Sequence, residues 1–151
     1  MRMALRTDYS LRMLIYVALR PGRACTVEEI ARAHGLSRNH LLKVALALRQ
    51  HGFLATARGR SGGVRLQKPP REINIGAVIR LMEDDLSLVE CLGGEGTCVI
   101  SPGCRLKSVI AEALDAYLNV LGKYTLADIV RNRAALLPLL SLAHDEQRAI
   151  A

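Results

Sequence analysis

The stretch TVEEIARAHGLSRNHLLKVALALRQHG, residues Thr26–Gly52, reads as two short helices joined at a glycine. Thr26 is placed to cap the first, and Glu29 three residues on suggests a capping box. The first helix is expected over Val27–His34, with Gly35-Leu36 as the turn and Ser37 capping a second helix that runs to about His51. Ile30, Ala31, Gly35, Leu36, Leu41, Leu42, Val44 and Leu48 sit where a helix-turn-helix needs them. Ala31 is small enough for the helices to approach, and Gly35 allows the tight turn. The second helix is then a recognition helix that enters a major groove by its N-terminal end. Ser37, Arg38, Asn39, His40 and Lys43 cluster there and suit bases and phosphates. A merely solvated helix face is the plainer reading of the same residues.

Working outward, Gly52 closes the recognition helix. Phe53–Ala57 and Val64–Leu66 then read as two short strands joined by Arg58-Gly59-Arg60-Ser61-Gly62-Gly63. A glycine-rich hairpin directly after a recognition helix is a wing. Arg58, Arg60 and Ser61 at its tip suit a narrow, electronegative minor groove. Upstream, Thr7 is a plausible N-cap with Asp8 in the first turn, where the helix dipole favours a carboxylate. Leu11, Leu14, Ile15, Ala18 and Leu19 follow at helical spacing until Pro21-Gly22. On composition alone Asp8 is simply a first-turn acid.

Charge supports the nucleic-acid reading. Residues 1–80 carry fifteen Lys/Arg against four Asp/Glu, a balance of +11, whereas residues 81–151 carry six against ten, a balance of −4. A strongly basic half joined to a mildly acidic half is the footprint of a nucleic-acid-binding module attached to something else. With four Tyr, one Phe and no Trp, a base-stacking single-strand surface is disfavoured. No apolar run approaches a membrane span and no signal peptide precedes the first helix, so a cytoplasmic protein is expected, with no membrane partner.

Downstream, Pro69-Pro70 marks a break and a helix is expected over 73–84. Then comes Cys91-Leu-Gly-Gly-Glu-Gly-Thr-Cys98-Val-Ile-Ser-Pro-Gly-Cys104, which holds three of the four cysteines. Its glycines and Pro102 exclude ordinary helix or strand. Thiolates on a bending loop can point at one centre, and they suit an iron–sulfur cluster, Zn(II) or Cu(I). Structural zinc favours closer spacing and four ligands, and a disulfide framework favours export and paired cysteines. A cluster, another metal and a thiol switch all stay open, and a fourth ligand must come from elsewhere. Cys25 stands alone and reads as structural. The long helix after Cys104 has a wide apolar stripe (Leu106, Val109, Ile110, Ala113, Leu114, Tyr117, Leu118, Leu121), which fits pairing with its copy in a homodimer. A short helix is expected over Leu126–Arg131, and the tail from Ala134 has no readable role. No repeat, phosphate-binding glycine motif or catalytic constellation is present.

The fold expected is mainly α with a small β-hairpin wing: a winged helix-turn-helix plus a long dimerisation helix. As a single domain it divides into a DNA-binding module (1–80), a helix end and cysteine loop (81–104), a dimerisation helix with a short helix (105–133) and a tail (134–151).

These pieces in this order resemble the Rrf-type winged-helix repressors over about residues 1–133. The resemblance rests on Thr7-Asp8-Tyr9, Ile30-Ala31 through Gly35-Leu36-Ser37, Arg60-Ser61-Gly62-Gly63, the three-cysteine loop and Thr125-Leu126-Ala127-Asp128. It implies an iron–sulfur cluster held by Cys91, Cys98 and Cys104 near a dimer interface. The six-then-five cysteine spacing is most similar to the nitric-oxide-sensing, NsrR-like branch, in which a 4Fe-4S cluster is implied, with 2Fe-2S found in some family preparations. In that branch an aspartate at the start of the first helix completes the cluster from the partner subunit, and the matching position is Asp8. The IscR branch uses a histidine three residues beyond the last cysteine, where this chain has Lys107. The implied function is a homodimeric repressor that holds palindromic operator DNA while its cluster is intact and releases it when nitric oxide attacks the iron. An iron-availability or redox sensor using the same cluster is the nearest alternative. An iron–sulfur electron-transfer enzyme and a winged helix used only for protein contacts are the rivals from other classes.

Overall fold

The computed structural model describes residues 3–57, 62–93 and 98–149, the side chains of 142–149 excepted. Helix α1 (Leu5–Ala18) begins earlier than its sequence suggests, with Ala4 at the N-cap. Thr7 is therefore not a cap. It lies inside the first turn, fully buried, and its hydroxyl donates to Glu83 Oε2. The other oxygen of that carboxylate accepts the Ala4 N–H at 3.0 Å. Ala4 offers no side-chain acceptor, so a residue far along the chain takes over the capping role.

Helix α2 (Val27–His34) starts where expected, with the Thr26 hydroxyl accepting the Glu29 N–H at 3.1 Å. The reciprocal half of the capping box is absent because the Glu29 carboxylate turns to Arg23, 2.7 Å away. Gly35 closes α2 at φ +62°, a left-handed conformation that glycine adopts without strain. Helix α3 (Arg38–Gln50) follows, and Ser37 occupies its N-cap position without a side-chain bond. Leu41, Val44, Ala45 and Leu48 of α3 are buried with Met13, Leu14, Val17, Ile30 and Ala31, so α1, α2 and α3 share one core. Leu42, placed in that core by its spacing, instead faces outward and is 41% exposed.

Strands β1 (Leu54–Ala57) and β2 (Gly63–Leu66) pair antiparallel, from Leu54 opposite Leu66 to Ala57 opposite Gly63. Cys25 joins them as a one-residue edge: its N–H donates to Val64 O at 2.9 Å, and the Val64 N–H donates back at 2.8 Å. A Cβ on Gly63 would lie 2.4 Å from the Cys25 carbonyl oxygen, so the close approach requires glycine there.

Helix α4 (Ile75–Met82) is shorter than the expected 73–84. Asn74 caps it by accepting the Ala77 N–H at 3.0 Å, and Glu83 leaves the helix to reach α1. Two 3-10 turns, Glu90–Leu92 and Ser101–Gly103, shape the two ends of the cysteine loop. Helix α5 (Arg105–Leu121) then runs 17 residues with Leu118 alone fully buried. The short helix α6 (Leu126–Ile129) ends before the expected Arg131 and begins with a complete Thr125/Asp128 capping box. Asn74 Nδ2 donates to Gly122 O at 2.7 Å and Ile75 N–H to Tyr124 O at 3.0 Å, pinning the end of α5 to the start of α4. The stretch from Ala134, given no role above, is helical: α7 (Arg133–Ala149) packs against α2.

Candidate nucleic-acid interface and cysteine loop

Ser37, Arg38, Asn39, His40 and Lys43 are all exposed, on the side of α3 opposite Leu41, Val44 and Leu48. Burial of that apolar stripe thus turns the polar N-terminal end of α3 outward. Arg38 is already engaged: its Nε lies 3.1 Å from Glu28 Oε2, and Arg32 holds the other oxygen of that carboxylate at 3.1 Å. These pairs are exposed and worth under about 1 kcal/mol each, so a phosphate or a base edge can replace them. The wing residues Arg58, Arg60 and Ser61 lie outside the described residues. The strands that carry them are set relative to α3 by Arg49, whose Nη1 donates to Thr56 Oγ1 at 3.2 Å. Sequence reasoning missed that contact, and only the exposed arginine at the end of α3 hinted at it.

The four cysteines fall into two environments. Cys25 is fully buried in the core beside the wing, where burial pushes its thiol up to about 11. Cys91 sits half-buried in its 3-10 turn, Cys98 is exposed, and Cys104 is half-buried at the N-cap of α5. All four are free thiols. Among the described residues, no group of three or more His, Cys, Asp or Glu converges on a metal-sized centre. The donor set nevertheless fits an iron–sulfur cluster in its chemistry. Three accessible soft ligands lie on one glycine-rich loop, while the fourth thiol is buried away in a backbone pairing.

Asp8 is half-buried on the first turn of α1. Arg12, one turn on, grips both its oxygens, Nε to Oδ1 at 3.1 Å and Nη2 to Oδ2 at 2.9 Å. The pair lies beside His34 at the end of α2. Burial, with the nearby Arg12 charge adding to it, holds the His34 imidazole below its usual range. The i,i+4 spacing of Asp8 and Arg12 is the signal in the sequence for this pair. Helix α1 packs directly on α3 and α4, so the carboxylate rides on the element that supports the recognition helix.

Apolar side chains are exposed after Cys98 and along α5. Val99 is 92% exposed and Ile100 64%, and Leu106, Val109 and Val120 of α5 are also outward. Beside them an open groove of about 660 Å³ is lined by Met3, Leu86, Val89, Ile110, Leu114 and Tyr117. Among the described residues, no helix is long and apolar enough to cross a membrane.

Comparison with known proteins agrees with this architecture. The family described as Rrf2, an iron-dependent transcriptional regulator, matches residues 3–132. The HTH-type transcriptional regulator NsrR of Bacillus subtilis (strain 168) is 49% identical over 144 residues, spanning 94% of this chain and 99% of the relative. The protein of the same name from Shouchella clausii is 48% identical over 149 residues, spanning 97% of this chain and all of the relative. Among solved structures, T. potens IscR superposes with a TM-score of 0.71 at 26% identity, covering 87% of this chain and 88% of that one. The oxidized form of Staphylococcus aureus CymR gives 0.68 at 28% identity, covering 85% and 95%.

Proposed function

The chain belongs to the Rrf2 family of transcriptional regulators, and from that premise we propose that it is a homodimeric, nitric-oxide-sensing repressor controlled by an iron–sulfur cluster. As a member of a family of regulators it is not an enzyme. The observation that carries the proposal is the separation of its thiols: three accessible cysteines on one loop at the head of α5, and the fourth sealed in the core.

Cys91, Cys98 and Cys104 hold the cluster, 4Fe-4S in the first instance and 2Fe-2S as the variant form. Asp8 of the partner subunit supplies the remaining ligand. When bound, the cluster would supply iron open to nitric oxide. The chain's own part is mechanical. Asp8 ties α1 of one protomer to the loop of the other, and α1 supports α3, so the tie sets the spacing of the two recognition helices on a palindromic operator. Arg12 takes the carboxylate when the tie is lost. Ser37, Arg38, Asn39, His40 and Lys43 face the major groove, and Arg58, Arg60 and Ser61 face the minor groove. The exposed apolar residues of α5 and the adjoining groove support a homodimer. Residues 1–80 then act as the DNA-binding module, 81–104 as the sensor loop, and 105–133 as the dimerisation segment of a cytoplasmic protein.

The description of the family as iron-dependent favours a second reading, in which the same cluster reports iron availability or redox state. Anaerobic purification followed by visible absorption and native mass tests the ligand set. A brown chromophore is expected in the parent and in Cys25→Ser. It should be lost or very labile in Cys91→Ser, Cys98→Ser and Cys104→Ser. A cluster that needs Cys25 and dispenses with Cys98 contradicts the assignment.

A further inference from the structure

A second basic surface shares no residue with the polar end of α3. Where α1 gives way to the Pro21–Ala24 turn, a cleft of about 440 Å³ opens against the stem of the wing. Its walls include Ala57 of β1, Arg65 of β2 and the Lys68-Pro69 segment, and its cations are Arg20, Arg23, Arg65 and Lys68. Arg23 is neutralised by Glu29 at 2.7 Å. The other three have no carboxylate partner among the described residues, and the nearby Glu72 is paired with Arg71. Arg20 is held in place, its guanidinium 3.6 Å from the centre of the Tyr16 ring with Nη1 donating to Tyr16 O at 3.3 Å. Arg65 and Lys68 are exposed, and each lacks a side-chain hydrogen bond among the described residues. Three cations without a carboxylate partner among the described residues line one concavity, and their field draws an anion.

We propose that this cleft seats backbone phosphates of the same duplex that α3 enters, with Arg20, Arg65 and Lys68 as the contacting cations. The inference rests on the DNA-binding reading above and extends the contact surface to the outer side of the wing. Duplex DNA is favoured over an acidic peptide by continuity. The cleft is walled by the strands of the wing itself, and Arg49 fixes β1 to the end of the recognition helix. A protein that lays the wing along DNA therefore brings Arg65 and Lys68 alongside it. Contacts of this kind carry affinity and register but no sequence information.

The test uses the full-length holo-dimer and a duplex of about 40 base pairs that the parent recovers from a randomised pool, with affinity measured across a salt series. Arg65→Gln/Lys68→Gln is compared with Arg80→Gln/Lys123→Gln, which removes the same charge from the α4–α5 side. Each phosphate contact contributes a salt slope of about 0.9, so the cleft variant should lower the slope by about 2 to 4 per dimer. Its affinity should fall about 10- to 100-fold at fixed salt, with the base preference of the parent kept. The control pair should change the slope by less than one contact's worth. Equal behaviour of the two double variants overturns the proposal. It is also overturned if the cleft variant keeps its DNA affinity while losing a calorimetric isotherm for inorganic tripolyphosphate, which assigns the cleft to a free anion. If the parent recovers no duplex, the DNA-binding reading falls with it. If the parent binds and discriminates, and Arg38→Ala relaxes that discrimination while the two double variants coincide, only the cleft assignment fails.

Discussion

Replacing Glu83 with alanine should loosen the sensor end of α1 by a calculable amount. One carboxylate accepts the Ala4 N–H at 3.0 Å and the hydroxyl of fully buried Thr7, with a sequence separation above seventy residues. A hydrogen bond to a charged acceptor contributes about 1.5–3 kcal/mol, and loss of an N-cap costs about 1 kcal/mol. Glu83 is half-exposed, so water recovers part of the loss at the N-terminus. Thr7, inside the core, can recover only by turning back to its own helix. The net cost is placed at about 2–3 kcal/mol, which for a chain of this length lowers Tm by about 5–10 °C. Glu83→Gln keeps one acceptor oxygen and should cost about 1 kcal/mol. Urea unfolding of parent and variants at one fixed protomer concentration measures the difference, with equal m-values required for the comparison. If both variants lie within about 0.5 kcal/mol of the parent, Glu83 does not cap α1 and the account of its N-terminus is wrong.

Three further outcomes follow from the same contacts. Gly63→Ala drives a Cβ to 2.4 Å from the Cys25 carbonyl and should destabilise the wing by about 1–3 kcal/mol, seen as faster amide exchange at Val64 with α4 and α5 unaffected. In apo-protein at about pH 8, a thiol reagent should modify Cys91, Cys98 and Cys104 readily and spare Cys25, as mass spectrometry of the digested protein can show. The thiol of Cys25 is raised from 9.0 to about 11, so the folded state keeps a proton that the unfolded chain releases. Its contribution is complete below pH 9.0 and fades as pH climbs towards about 11, and Cys25→Ala should flatten that part of the stability profile.

Local chemistry explains what was legible in the sequence. Thr26, Gly35 and the Leu41/Val44/Leu48 stripe act within a turn or two of themselves, so their spacing predicts α2 and α3 closely. The wing followed from Gly52 and the glycines around 62–63 for the same reason. The start of α1 was misplaced because its cap is Glu83, a partner that no local pattern reveals. Asn74 is hidden as a cap because Ile73 before it extends the apolar pattern of the run from Ile75, so the pattern reads as helix from Ile73. The role of Leu42 depended on which helix face the core would take. For the 134–151 stretch, Pro138 and a polar end concealed a helix whose docking site, α2, lies a hundred residues earlier. At the site, the polar cluster of α3 was readable as one face, but its ion pairs were not, because Glu28 reaches Arg38 across the helix-turn-helix. The two thiol environments were foreshadowed by spacing, since three cysteines share one loop and Cys25 stands alone.

The central claim is that the cluster-bound tie through Asp8 controls DNA binding. It is tested most directly by anaerobic titration of holo-parent and holo-Asp8→Ala with nitric oxide, followed in the same samples by visible absorbance and operator gel shift. In the parent, release of DNA should track loss of the chromophore. Asp8→Ala should stay dimeric, keep a cluster with an altered spectrum, and bind the operator at least about thirtyfold more weakly before any nitric oxide is added, a loss of about 2 kcal/mol. If Asp8→Ala matches the parent in spectrum, affinity and response, Asp8 is only a first-turn acid paired with Arg12, and the tie between subunits does not exist.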